Sequence, residues 1–139
     1  MRVFALVAMM IFAGASAGAE LPSPDAAEQL ATQVMKQVAT GDLRGGLEIA
    51  KPYTIVPSSE FESMVGQAEL QMPVMLSRFG KSIGYELIRT DTVGDSLIQI
   101  VALQKFEKHP TVWRFIFYRG QSGWLLDSFK FVDDPSSAF

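Results

Sequence analysis

Residues Trp113-Arg-Phe-Ile-Phe-Tyr-Arg-Gly-Gln-Ser-Gly-Trp-Leu-Leu-Asp-Ser-Phe-Lys-Phe131 hold two runs of aromatic and β-branched side chains around Gly120-Gln-Ser-Gly123. Alternating bulky residues on both sides of a glycine-bearing break predict a β-hairpin. The same period extends upstream, so strands are predicted at Tyr85–Thr92, Leu97–Glu107, Thr111–Arg119 and Trp124–Val132. Gly94-Asp95, Lys108-His109-Pro110 and Gly120–Gly123 are connectors short enough for hairpins, which makes the strands an antiparallel meander.

Upstream of Gly80 the apolar period is helical. Ser23-Pro24-Asp25 predicts a helix start, with Ser23 as N-cap and proline at the first position. Ala27, Leu30, Ala31, Val34 and Val38 then form one stripe, which Gly41 closes. Asp42 caps a shorter helix carrying Leu43, Leu47 and Ala50, stopped by Pro52. Ser59-x-x-Glu62 reads as a capping box opening a third helix. Phe61, Met64, Val65, Ala68, Met72 and Met75 line one of its faces, and Gly80 ends it. That methionine-rich stripe is read as core packing rather than as an adaptable binding surface. Pro73 falls within the pattern and predicts a kink or break, because proline lacks the backbone donor. The fold class expected is α+β, with N-terminal helices packed on a strongly curved antiparallel four-stranded meander.

The first residues predict export. Arg2 precedes an apolar run from Val3 to Ala13, and Ala17-Gly18-Ala19 before Glu20 fits a small-x-small cleavage pattern. The run is shorter than the roughly 20 residues a membrane span needs. Residues 1–19 are therefore read as a signal peptide, cut between Ala19 and Glu20, with a rival site after Ala17. Residues 20–139 are then a single α+β domain in the periplasm or secreted. There is no cysteine, which excludes both a disulfide framework and a lipidated cysteine. The formal charge is −3, and loss of Arg2 makes it one unit more negative. An acidic chain with scattered lysines and arginines suits neither nucleic acid nor an anionic membrane surface as partner after signal removal.

The order of elements, with Trp113-x-Phe115-x-Phe117-Tyr118, Gly123-Trp124-x-Leu126 and Phe129-x-Phe131, resembles the nuclear-transport-factor-2-like superfamily. The resemblance covers essentially all of residues 20–139. It implies a cone-shaped α+β fold whose pocket serves isomerases, dehydratases, cyclases and many non-catalytic members, so fold alone does not assign function. Catalytic members use an Asp base with a Tyr and a protonated Asp, or His–Asp pairs with tyrosines. Here His109 sits in a hairpin loop beside Pro110, and no aspartate aligns with such a motif. No metal-ligand or cofactor motif is present in the sequence.

The turn lengths suggest a register with Gln104 opposite Arg114 and Ile100 opposite Tyr118. Beyond the next turn, Tyr118 faces Leu125 and Arg114 faces Phe129, leaving Asp127 one diagonal step from Arg114. One face then carries Ile88, Val101, Leu103, Trp113, Phe115, Phe117, Trp124 and Leu126, and is read as the helix-covered core. The other carries Tyr85, Arg89, Asp91, Ile98, Ile100, Gln104, Arg114, Ile116, Tyr118, Asp127, Phe129 and Phe131. A slip of one residue in a loop exchanges the faces, so the helices covering the second face is the other arrangement the sequence allows.

The second face is too apolar for a solvated sheet surface. Tyr85, Asp91, Gln104, Arg114, Tyr118 and Asp127 are accordingly the candidate pocket or interface residues, and the Arg114–Asp127 pair is either functional or an ordinary rim ion pair. The leading functional expectation is a non-catalytic exported domain that binds a small apolar ligand or forms a homodimer through its sheet. The alternative is an isomerase, cyclase or dehydratase with Asp127 or Asp91 as base and Tyr85 or Tyr118 as donor. An immunity or inhibitor protein is a third reading.

Overall fold

The computed structural model describes residues 19–139, so the expected signal peptide lies outside the described residues except for Ala19. The first helix, α1 (Pro24–Val38), starts as its sequence dictates. Ser23 Oγ accepts the Ala26 N–H at 3.1 Å, satisfying one of the donors that a helix N-terminus leaves unpaired. Its buried stripe is Ala27, Leu30, Ala31, Val34, Met35 and Val38. The chain reverses at Gly41, whose φ of 95° is in the left-handed region. Asp42 then caps α2 (Leu43–Ala50) by accepting the Gly45 N–H at 2.9 Å.

A 3-10 turn at Lys51–Tyr53 leads to α3 (Ser58–Phe79). This helix departs from expectation at two points. It begins directly after Pro57 with no side-chain cap, and Glu62 does not close a capping box. Its carboxylate instead accepts from Lys51 Nζ at 2.7 Å and from Arg44 Nη1 at 2.9 Å. Because α3 starts at Ser58, Ser59 lies inside its first turn and Glu62 is the fifth helical residue, past the third position from which a capping box closes. Secondly, the helix runs through Pro73 without a break. Pro73 is exposed, so the carbonyl that loses its helical donor there is on the side that water reaches.

The strands are β1 (Ser82–Val93), β2 (Leu97–Phe106), β3 (Pro110–Arg119) and β4 (Trp124–Val132). They pair antiparallel in the order β1-β2-β3-β4, the expected meander and α+β class. The expected face assignment is overturned by two details of register. Phe106 N–H donates to the His109 carbonyl at 3.1 Å, a tighter turn than a loop centred on His109. Gln104 therefore faces Thr111 rather than Arg114, and Tyr118 faces Leu97 rather than Ile100. The displacement is an odd number of residues and so swaps the face of β2 relative to β3.

The second detail is a bulge. Tyr118 faces Leu125 as expected, but Phe117 faces Leu126 and Ile116 faces Ser128. Asp127 is the extra residue, so Arg114 faces Lys130 and Phe115 faces Phe129. Ile98, Ile100, Phe129 and Phe131 thus join Trp113, Phe115, Phe117, Trp124 and Leu126 on the inner face, beneath the helices. Val101 and Leu103 turn to the outer face. A sheet dimer that relied on Ile98, Ile100, Phe129 and Phe131 being outward loses those residues to the core. Trp113 and Trp124 are core residues, as the sequence predicts.

The outer face is partly roofed by the C-terminal 3-10 turn, Pro135–Ala138. Arg89 donates to the Ala138 carbonyl and Arg114 to the Ser137 carbonyl, which holds the turn across the strands. Val101, paired with Arg89 on one side and Arg114 on the other, is buried. The free edge of β4 is covered at one end, where Leu21 and Trp124 exchange hydrogen bonds of 2.8 Å.

Candidate functional site

Helix α3 lies against the sheet mainly through its two ends. Phe61 and Val65 are buried near its start, and Met75 and Phe79 near its finish. Between them Met64, Ala68 and Met72 are only half-buried. Ala68 has the shortest side chain of this stretch and faces bulky rings across the gap, so close packing is incomplete there. A groove of about 270 Å³ results, walled by Met64 and Ala68 of α3, Leu47 of α2, and Phe129 and Phe131 of β4. Gln67 and Gln71 supply its polar rim.

The walls are held in place from behind. Phe129 packs on Phe61 with ring centroids 5.7 Å apart, and Phe131 stacks on the buried Trp113 at 4.6 Å and 19°. At the α2 side, Arg44 bridges Glu62 and Glu69, while Lys51 bonds the same Glu62. Hydrogen bonds from Lys51 and Arg44 pull the Glu62 carboxyl down to about 2, and the shared carboxylate raises both cations in turn. This ionic cluster ties α2 to α3 beside the groove. Lys130 borders the groove between Phe129 and Phe131, but it pairs with the outward Arg114, so its side chain lies on the outer face of the sheet.

The structure does not gather the residues singled out in the sequence. Tyr85 and Gln104 are paired neighbours on the inner face. Tyr85 is half-buried and borders a shallow polar trough along α1 with Glu28, Gln33 and Lys36. Gln104 is buried, and its amide nitrogen donates to the Val38 carbonyl at 3.3 Å and to Ser82 Oγ at 3.1 Å. Asp91 is ion-paired with Arg89 at 2.8 Å on the outer face. Arg114, also outward, donates to Gln99 Oε1 at 3.3 Å, and Tyr118 is 48 % exposed at the end of β3.

Asp127 is exposed at the bulge and forms no ion pair with Arg114. Bulging displaces it from the diagonal position that would have brought the two together. Tyr85 borders the α1 trough beside Glu28, whereas Asp91 and Asp127 are exposed elsewhere on the sheet, so the described residues do not bring either aspartate to Tyr85 as an acid–base pair needs. His109 is half-buried rather than loose in solvent. Its ring stacks on Phe79 at 4.4 Å, and Nε2–H donates to the Asp133 carbonyl at 2.6 Å.

Groove residues escaped the sequence reading for different reasons. Phe129 and Phe131 were legible as an apolar surplus but not as partners of α3, because the bulge decides their face. Met64 and Ala68 were legible as a helix stripe. The signal that the stripe is under-filled is the small Ala68 amid methionines. No protein-family model, curated protein or solved structure matches this chain.

Proposed function

We propose that this protein is an exported, non-catalytic binding domain of the nuclear-transport-factor-2-like kind, which takes a small apolar ligand in the groove between α3 and β4. The observation that carries the reading is the groove itself, with aliphatic and aromatic walls and two amides at the rim. Sites for small molecules are concave, mostly apolar and fixed by a few polar groups, with volumes of roughly 300–1,000 Å³. At about 270 Å³ this groove falls just below that range, which suits a ligand of one or two rings. Its lining offers no carboxylate, imidazole or phenol to move a proton, which supports binding over turnover. The helix-then-meander order supports the family resemblance, and the N-terminal charge and apolar pattern supports export.

The test is a titration with naphthalene, a neutral apolar fluorophore of two rings. Binding with a micromolar Kd is expected. Ala68→Leu fills the groove from the middle of α3 and should weaken binding by roughly tenfold with the urea midpoint little changed. Absence of binding, or equal binding by the two proteins, would refute the reading.

Self-association is favoured by a separate observation. Leu70 is 79 % and Val74 57 % exposed on the solvent side of α3, beside exposed Pro73. Contiguous exposed apolar side chains mark association surfaces. Sedimentation at micromolar concentration decides it, with a dimer that Leu70→Glu dissociates as the supporting outcome and a monomer as the refuting one.

A further inference from the structure

Among the described residues, three polar atoms in the core pair with no other group: Gln104 Oε1, Thr111 Oγ1 and Trp113 Nε1. Their residues are 1 %, 0 % and 0 % exposed. Buried polar groups are nearly always hydrogen-bonded, so each orphan calls for an explanation, and three together point to a common partner. The register places them together. Gln104 and Thr111 face each other directly across β2 and β3, and Trp113 is two residues along β3 on the same inner face. Directly opposed residues have Cβ atoms about 5 Å apart, and diagonal ones are within reach of long side chains.

The orientation of Gln104 is set by its neighbours. Its amide nitrogen uses both hydrogens, on the Val38 carbonyl and on Ser82 Oγ. Ser82 Oγ in turn donates to the Ala39 carbonyl at 2.8 Å and so receives the amide as an acceptor. Exchanging the amide's oxygen and nitrogen would set oxygen against the Val38 carbonyl. Oε1 is therefore an acceptor without a donor, Trp113 Nε1 a donor without an acceptor, and the Thr111 hydroxyl able to act as either.

We infer that Gln104, Thr111 and Trp113 form a subsite for one hydroxyl group, and that the head of a small phenol or alcohol occupies it. The chemistry selects the class. A hydroxyl donates to Gln104 Oε1 while accepting from Trp113 Nε1–H and from the Thr111 hydroxyl, so all three atoms are satisfied at once. A carbonyl or ether has no proton for Oε1. An ammonium has no lone pair for the indole, and a carboxylate would set negative charge against Oε1. A water molecule shares the hydroxyl's chemistry and is the other source for it.

The subsite adjoins the groove. Phe131 is half-buried, lines the groove and stacks on the Trp113 ring, so it touches the groove on one side and one member of the trio on the other. A ring seated between Met64, Ala68 and Phe129 points its polar end at the indole when the Phe131 side chain turns aside. This inference rests on the groove being a ligand site and adds what that ligand carries.

The experiment uses p-cresol and p-xylene, which have the same shape and differ by one hydroxyl. Each is titrated into the isotope-labelled protein while the indole N–H of Trp113 is followed by NMR, with Trp124→Phe providing the assignment. p-Xylene is the more apolar and would bind more tightly if burial alone decided. The expected result is the reverse, with p-cresol favoured about fivefold, the worth of one net hydrogen bond. The Trp113 indole proton should shift with p-cresol only, and Thr111→Val should bring the preference close to unity. Equal binding of both probes with an unmoved indole signal would overturn the hydroxyl subsite, leave the groove reading standing and assign the three atoms to water. Binding of neither probe would overturn the groove reading, and this inference with it.

Discussion

Replacing Trp113 by alanine tests the reassigned core most directly. Its ring is fully buried, stacks on Phe131 at 4.6 Å and lies 6.0 Å from Phe115. Truncating a buried tryptophan costs about 3–5 kcal/mol through lost transfer energy and the cavity left behind. Loss of the aromatic stacks adds about 0.5–1.5 kcal/mol. Against this stands the unpaired Nε1–H, whose removal returns about 1–3 kcal/mol if nothing bonds it. The net expectation for Trp113→Ala is a loss of about 3 kcal/mol, a large share of the roughly 5–15 kcal/mol that holds a domain folded. Trp113→Phe separates the contributions. It keeps most of the stacking and removes the N–H, and should cost no more than about 1.5 kcal/mol. Urea unfolding followed by circular dichroism measures both, with an unchanged slope certifying that the midpoints report stability. A Trp113→Ala protein within about 1 kcal/mol of the parent would refute the placement of this ring at the centre of the helix-covered face.

Two further outcomes are expected. The Glu62 carboxyl is held at about 2, below its ordinary 4.5, by Lys51 and Arg44. Its contribution to stability is therefore complete above pH 4.5 and is lost as pH falls through 2, and Glu62→Gln should flatten that acid limb in urea midpoints measured across the range. Gly46→Ala should destabilise the α1–α2 contact by about 1–3 kcal/mol in thermal melts, the cost of overpacking. A Cβ there would stand 2.4 Å from Val38 Cγ2 and 3.0 Å from the Val34 carbonyl oxygen, and a neutral melt would mean the two helices are not so closely docked.

Much of the architecture was legible because it is written locally. Ser23 and Asp42 announce helix starts through short-range hydrogen bonds, Gly41 and Gly80 announce ends through a backbone that tolerates positive φ, and period-two runs announce the strands. Each of these signals acts within about four residues. The α+β class and the meander follow from their order. Glu62 shows where local reading fails, since its capping position is real in sequence but its partners, Arg44 and Lys51, come from another helix and turn.

The candidate site depended on parity, which no local pattern carries. A strand's side chains alternate faces, so one bulged residue at Asp127 and a tighter turn before His109 decide whether Phe129, Phe131, Ile98 and Ile100 face helices or solvent. The groove between α3 and β4 and the cluster of Gln104, Thr111 and Trp113 exist only in that register. Composition and period determined that a two-faced apolar sheet would form beneath helices. Long-range packing chose the face, because burying rings against α1 and α3 stabilises one parity over the other, and nothing within reach of any single turn senses that difference.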